Sequence, residues 1–123
     1  MEFIHAPKAC ASVGPYSHCV KAGSTYYLCG QVPFHPVTGE VVGNGMKEQA
    51  VQTLANMKAV LEAAGLAVTD IAKTTVFVTN MDDFAAFNAV YGEYFTNKPA
   101  RSCVEVAKLP KGVLAEVEVI AEL

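Results

Sequence analysis

Ile71 to Thr79, "IAKTTVFVT", is a β-branched run with a helical pattern on either side. Upstream, Met46, Ala50, Leu54, Met57, Leu61 and Ala64 recur at spacings of three and four, which predicts a helix from Met46 to Ala64. Gly65 follows, the residue type that commonly stands just past a helix end. Downstream, Phe84, Phe87, Tyr91 and Phe95 mark one side of a second helix from Asp82 to Phe95, with Asn80 and Asp82 as candidate caps. That aromatic stripe reads as core rather than as a cofactor box. The strand between the helices is apolar at successive positions in "TTVFV", as in strands covered on both faces.

Working outward, Ser17 to Lys21 and Thr25 to Gln31 read as strands around the turn Ala22-Gly23-Ser24. Pro33, Pro36 and Thr38-Gly39 mark turns toward the first helix. Past the second helix come a strand from Cys103 to Leu109, the turn Pro110-Lys111-Gly112, and a strand from Leu114 to Ala121. The order ββαβαββ predicts one α+β domain over residues 1–123, a mixed sheet with both helices on one face. Yet "VEVIA" near the C-terminus is also nearly continuous in apolar residues. The face without helices must meet something, and another copy of the chain is the simplest partner. Composition agrees, with 52% hydrophobic residues, 17% charged and a mean hydropathy of +0.28. An oligomer is expected.

No uncharged run approaches the roughly 20 residues of a membrane span, so no membrane partner is expected. Met1 to His5 shows no basic region leading into an apolar stretch, so no secretory signal is expected either. The net charge is −3 and the pI about 5.5, and Lys and Arg do not cluster, which weighs against nucleic acid as partner. The cysteines (Cys10, Cys19, Cys29, Cys103) form no C-x-x-C pair and have no histidine at ligand spacing. Neither a metal site nor a disulfide framework is expected, and unpaired thiols suit a reducing, cytoplasmic setting. Cys10 and Cys19 read as small buried hydrophobes. No phosphate-binding loop, nucleophile elbow or zinc-protease helix is present. His5, His18 and His35 read as surface or turn residues.

Polar residues set into apolar strands are then the main clue. Arg101 stands two residues before Cys103, so both project from one face. Its guanidinium suits a carboxylate clamp, while the pattern alone leans to an ordinary strand-edge residue or an ion pair with a neighbouring subunit. Glu116 is bracketed by Ala115 and Val117. Burial there would raise its pKa toward a range useful for proton transfer, and a nearby arginine would lower it. A third reading puts Glu116, Glu118 and Glu122 on one solvated face. Cys103 has no sequence-linked base and reads as pocket lining. Tyr16 follows the turn Gly14-Pro15, and Asn88 lies one helical turn beyond Phe84, where a buried amide needs partners.

Taken together, these residues resemble the Rid family of enamine/imine deaminases, also called the YjgF family. The likeness covers nearly the whole chain. It runs through "GPYS" (Gly14–Ser17), "GQVP" (Gly30–Pro33), "TGEVV" (Thr38–Val42), "NMKAVLEAAG" and "KTTVFVTNMDDFAAFNAVYGEYF". It ends in "PARSCVEVAKLPKG" and "AEVEVIAEL", the most specific pair because strand, turn and strand keep their polar residues. The resemblance implies a chorismate-mutase-like fold, a homotrimer with pockets between subunits, and hydrolysis of short 2-imino acids without a cofactor. It also implies that Arg101 grips the substrate carboxylate and Glu116 positions or activates water. Tyr16, Asn88 and Cys103 would complete the pocket. One departure stands out: the family often reads "SGQ" where this chain has Cys29-Gly30-Gln31, so a substrate contact at Cys29 would be a weaker hydrogen bond.

Overall fold

The structure, a computed structural model, describes residues 1–123. Six strands form one sheet: β1 (Glu2–Ile4), β2 (Cys19–Ala22), β3 (Thr25–Gln31), β4 (Ile71–Val78), β5 (Ala100–Glu105) and β6 (Ala115–Glu122). Two helices accompany them, α1 (Met46–Ala63) and α2 (Phe84–Tyr94). The strands lie in the order β1-β2-β3-β6-β4-β5. β4 and β5 are parallel, joined through α2, and every other neighbouring pair is antiparallel.

The α+β class and the mixed sheet are as expected, with corrections at the edges. The order is βββαβαββ, because Glu2–Ile4 adds an edge strand beside β2. Three residues are too few to carry a periodic signal. β5 begins at Ala100 and ends at Glu105, earlier than a strand from Cys103 to Leu109. Arg101 is therefore inside the strand, not ahead of it. β2 begins at Cys19 rather than Ser17. α2 starts at Phe84 after a 3₁₀ turn over Met81–Asp83, where Asn80 Oδ1 accepts from the Asp82 amide at 2.9 Å.

α1 closes as its sequence suggests. Gly65 adopts φ 73°, the Leu66 amide donates to the Leu61 carbonyl at 2.9 Å, and the Gly65 amide to Glu62 at 3.1 Å. Those two bonds make a Schellman motif, which satisfies carbonyls left open at the helix end. One face of α1 (Ala50, Leu54, Met57, Val60, Leu61) packs on the sheet with Phe87 and Phe95. From below it meets Val76 and Val78 of β4 and the odd-numbered residues of β6, Ala115 to Ala121. Polar residues on that face are used as ties. Asn56 Nδ2 donates to the Val32 and Phe34 carbonyls at 2.8 and 2.9 Å, and the Leu114 amide donates to Gln49 Oε1 at 2.8 Å. They fix the long β3–α1 connection and the start of β6 to one helix.

The second face carries no helix. Lys73, Thr75 and Phe77 of β4 point there, beside Glu116, Glu118 and Ile120 of β6 and Ser102 and Val104 of β5. Tyr27 and Val104 are about half exposed on it, at 50% and 46%. This is the uncovered face that the composition called for.

Candidate functional site

Arg101 sits opposite Thr74 in the parallel β4–β5 ladder and points to the helix-covered face. Its Nη1 donates to Asn88 Oδ1 at 2.7 Å. The guanidinium carbon lies 4.6 Å from the centre of the Tyr91 ring and 5.2 Å from that of Phe84. Phe84, Asn88 and Tyr91 follow one another up one side of α2, since helical residues three and four apart are neighbours. The cation is thus held by two aromatic faces and an amide oxygen, while no carboxylate of the chain pairs with it. Beside it opens a cavity of about 640 Å³, lined by Asn88, Tyr91, Thr96, Lys98 and Arg101 among others. Cys103 shares the face with Arg101. Burial raises its thiol above the ordinary value and the Arg101 charge opposes that in part, so it is no ready thiolate.

Glu116 belongs to the other face. It stands in one cross-strand row with Phe77 and Val104. On its far side β3 is irregular: Leu28 pairs with Val119 and Gln31 with Val117, so Cys29 and Gly30 together oppose the single residue Glu118. Such a bulge re-aims the strand locally. Here it brings the Gly30 backbone against the Glu116 carboxylate, and a Cβ on Gly30 would lie 2.8 Å from Glu116 Cδ. Only glycine leaves that space. Burial raises the Glu116 carboxyl above its usual range, and Glu118 adds to the effect. Of the two directions open from the sequence, the upward one holds within the single chain, because its own arginine lies elsewhere.

Cys29 flanks this carboxylate. Its Sγ accepts from Gln31 Nε2 at 3.2 Å. Burial raises its thiol; the Gln31 bond lowers it and the Glu116 charge raises it further. Tyr16 is 47% exposed, with its hydroxyl accepting from the Val13 amide at 3.3 Å. Both line a cavity of about 320 Å³ together with Cys10, Val13, Gly30 and Glu116.

Two expectations are corrected here. His18 is a core residue, 2% exposed, not a surface one. Its Nδ1 accepts from the Ala6 amide at 3.0 Å and its Nε2–H donates to the Cys10 carbonyl at 2.7 Å. With both ring nitrogens engaged it clasps the Ala6–Cys10 segment to the sheet and is not a free base. Cys10 in turn is part-exposed on the cavity wall, its thiol donating to the His35 carbonyl at 3.1 Å.

The six candidate residues therefore fall into two groups. Asn88 and Arg101 meet on one face, which Cys103 shares without lining their cavity; Tyr16, Cys29 and Glu116 line the other cavity. β4 separates them, with Arg101 level with Thr74 and Glu116 level with Phe77. One chain does not bring both groups to one cavity. Gly30, Thr74 and Tyr91 were not singled out as site residues by the sequence. Gly30 inside a strand pattern signals a bulge or a close approach, whereas nothing in the pattern marks Thr74 or Tyr91 as more than core. No group of three or more His, Cys, Asp or Glu side chains is placed to hold a metal ion. No helix is long and apolar enough to cross a membrane.

Comparison with known proteins follows the same lines. A family model described as Endoribonuclease L-PSP matches residues 5–123. A RutC family protein of Pyrococcus horikoshii is 50% identical over 121 residues, covering 98% of this chain and 96% of its own. An Escherichia coli protein named 2-iminobutanoate/2-iminopropanoate deaminase is 51% identical over 122 residues, covering 96% and 94%. Among solved structures, E. coli TdcF with bound serine superposes with a TM-score of 0.94 at 43% identity, covering 100% of this chain and 99% of that one. RidA of an Antarctic Psychrobacter superposes with a TM-score of 0.95 at 43% identity, covering 100% of both.

Proposed function

The chain belongs to the Endoribonuclease L-PSP family, the Rid or YjgF family, and on that premise we propose that it is a 2-imino acid deaminase. Its substrates would be the short, reactive 2-aminoacrylate/2-iminopropionate and 2-iminobutyrate, released as 2-oxo acids and ammonia. One observation carries the reading: a half-buried guanidinium held in place yet paired with no carboxylate of its own chain. A planar fork with free donors fits an incoming carboxylate.

On this reading Arg101 orients the substrate by its carboxylate. Water adds to the imine carbon as Glu116 takes its proton, Glu116 returns that proton to the nitrogen, and the resulting carbinolamine breaks its C–N bond to give the 2-oxo acid and ammonia. Burial raises the Glu116 carboxyl in the single chain and so strengthens it as a base, while a neighbour's Arg101 in the shared site acts in the opposite sense. An imine is already electrophilic, so positioning and proton transfer suffice. No cofactor enters the scheme.

Because Arg101 and Glu116 occupy opposite faces of one sheet, a complete site needs a second copy. We place the chain in a homotrimer in which the edge strand β5 of one copy, carrying Arg101, meets the open sheet face of the next, carrying Glu116, so that each site is shared between neighbours. The half-exposed Tyr27 and Val104 supply apolar surface for that contact.

A coupled assay tests the activity. Threonine and a pyridoxal-phosphate threonine dehydratase generate 2-iminobutyrate, and the protein should accelerate 2-oxobutyrate formation. Arg101→Ala should abolish the acceleration and leave the oligomer intact; retained activity would sink the scheme. A second reading, a non-catalytic binder of small carboxylates, draws support from the separation of Glu116 from Arg101 within one chain. It predicts carboxylate binding without turnover. The family model's description suggests RNA cleavage, but a net charge of −3 without clustered cations weighs against it.

A further inference from the structure

Arg101, Tyr91 and Thr74 close a ring of contacts. Thr74 is the ladder partner of Arg101, its Oγ1 hydrogen-bonds the Tyr91 hydroxyl at 2.7 Å, and the Tyr91 ring underlies the Arg101 guanidinium at 4.6 Å. Thr74 is fully buried and Tyr91 is 8% exposed, so neither hydroxyl has water as an easy alternative. The ring plane is further fixed by Phe95, with centroids 4.3 Å apart. Asn88 engages one nitrogen of the guanidinium and leaves its other donors free.

We propose that Tyr91, locked by Thr74, is the positioning residue for Arg101, setting the plane and direction of the guanidinium and thereby its affinity for the substrate carboxylate. This rests on the reading of Arg101 as a carboxylate clamp. An arginine side chain has several rotatable bonds, and ordering it at the moment of binding costs affinity. A stacked, pre-aimed guanidinium has met that cost on folding. The core alone does not require the arrangement: a leucine would fill the position of Tyr91 without holding a cation, and a valine would fill that of Thr74. Asn88 alone gives a single tether, about which the fork can swing.

The carboxylate contact exists in both ground and transition states, so its loss appears in KM rather than kcat. The experiment titrates 2-oxobutyrate and propionate calorimetrically into the assembled wild-type protein, Arg101→Ala, Tyr91→Leu, and the double variant Tyr91→Phe/Thr74→Val. Imine kinetics and melting curves accompany each titration. Tyr91→Leu removes the ring and should weaken binding and raise KM about tenfold, with kcat within about twofold. The double variant keeps the ring, removes both hydroxyls together so that neither is orphaned, and should weaken binding about threefold. Tyr91 variants that bind like wild type, or lose only melting temperature, overturn the proposal. If Tyr91→Leu does not fold, the double variant decides. Failure of the underlying readings looks different: a wild type that binds carboxylate without turnover removes the deaminase but leaves the positioning testable. An Arg101→Ala variant that still binds normally removes the clamp and the positioning with it.

Discussion

Glu116 occupies the space that a side chain on Gly30 would need. A Cβ there would meet the glutamate's Cδ at 2.8 Å, with its Cγ at 3.1 Å. The carboxylate and the bulged backbone are therefore placed by one another. Gly30→Ala should push the carboxylate out of line while the buried face of β3 stays packed. The expected result is a loss of imine turnover of about a hundredfold, the scale for small misplacements of reacting groups. Folding stability should fall by about 1–3 kcal/mol at most, as for local overpacking. A variant with full turnover would show that the position of Glu116 does not matter.

Glu116→Gln separates chemistry from stability. As the water-activating base Glu116 must be ionised, so turnover should fall in acid as its carboxyl takes a proton, giving the pH–rate profile an acid limb. The glutamine variant should lose most turnover and the limb with it. Stability has its own sign. A carboxyl whose pKa is raised by folding binds its proton more tightly in the native state. Its favourable contribution is present below the unfolded pKa and fades as pH rises through the folded one. Glu116→Gln should therefore melt slightly higher than wild type at neutral pH, the gap kept small because a partly exposed carboxylate is screened by solvent. The gap should close in acid. Paired melting curves across pH check it.

Cys29 lines the same cavity as Glu116, and its thiol bears on that carboxylate. A thiol is a weak donor, and the glutamate's charge contributes to raising it. Cys29→Ser adds a hydroxyl able to donate to the carboxylate and favour its ionised form. The acid limb of the pH–rate profile should move to lower pH, with KM little changed because Arg101 is untouched. An unmoved limb would mean the two groups do not communicate.

Much of this was legible in the sequence, for a physical reason. The strand "IAKTTVFVT", both helices and the Gly65 stop come from local patterns that tertiary packing reinforced. The surplus apolar face followed from having two helices and strands apolar on both sides. What was hidden depends on register. β1 is too short for a period, and its pairing with β2 is a tertiary event. Arg101 and Cys103 were correctly read as sharing a face, but which face depends on the parallel pairing of Thr74 with Arg101. The bulge at Cys29-Gly30 decides what lies against Glu116, and a bulge shows only once the partner strand is known. His18 was misread because its two partners are backbone groups of the N-terminal segment, which no side-chain pattern announces.

Separation of the two groups by β4 makes a prediction that a self-contained site does not. Arg101→Ala retains the Glu116 face, and Glu116→Gln retains the Arg101 face, so each alone should be inactive on the proposed scheme. If neighbouring copies share each site, mixed trimers refolded from equal amounts recombine the intact halves. Around a cyclic, head-to-tail trimer each site draws its arginine and its glutamate from two different subunits, so about one site in four receives both intact groups. Mixed oligomers should therefore recover about a quarter of wild-type 2-oxobutyrate formation, from parents that individually show almost none. A site built within one chain recovers nothing, since every copy lacks one of the two groups. Recovery must also require subunit exchange: the same variants mixed as intact native oligomers, without unfolding, should stay inactive over the time of the assay. Activity growing slowly in that control would report spontaneous subunit exchange, whereas contaminating deaminase would already show in each parent assayed alone.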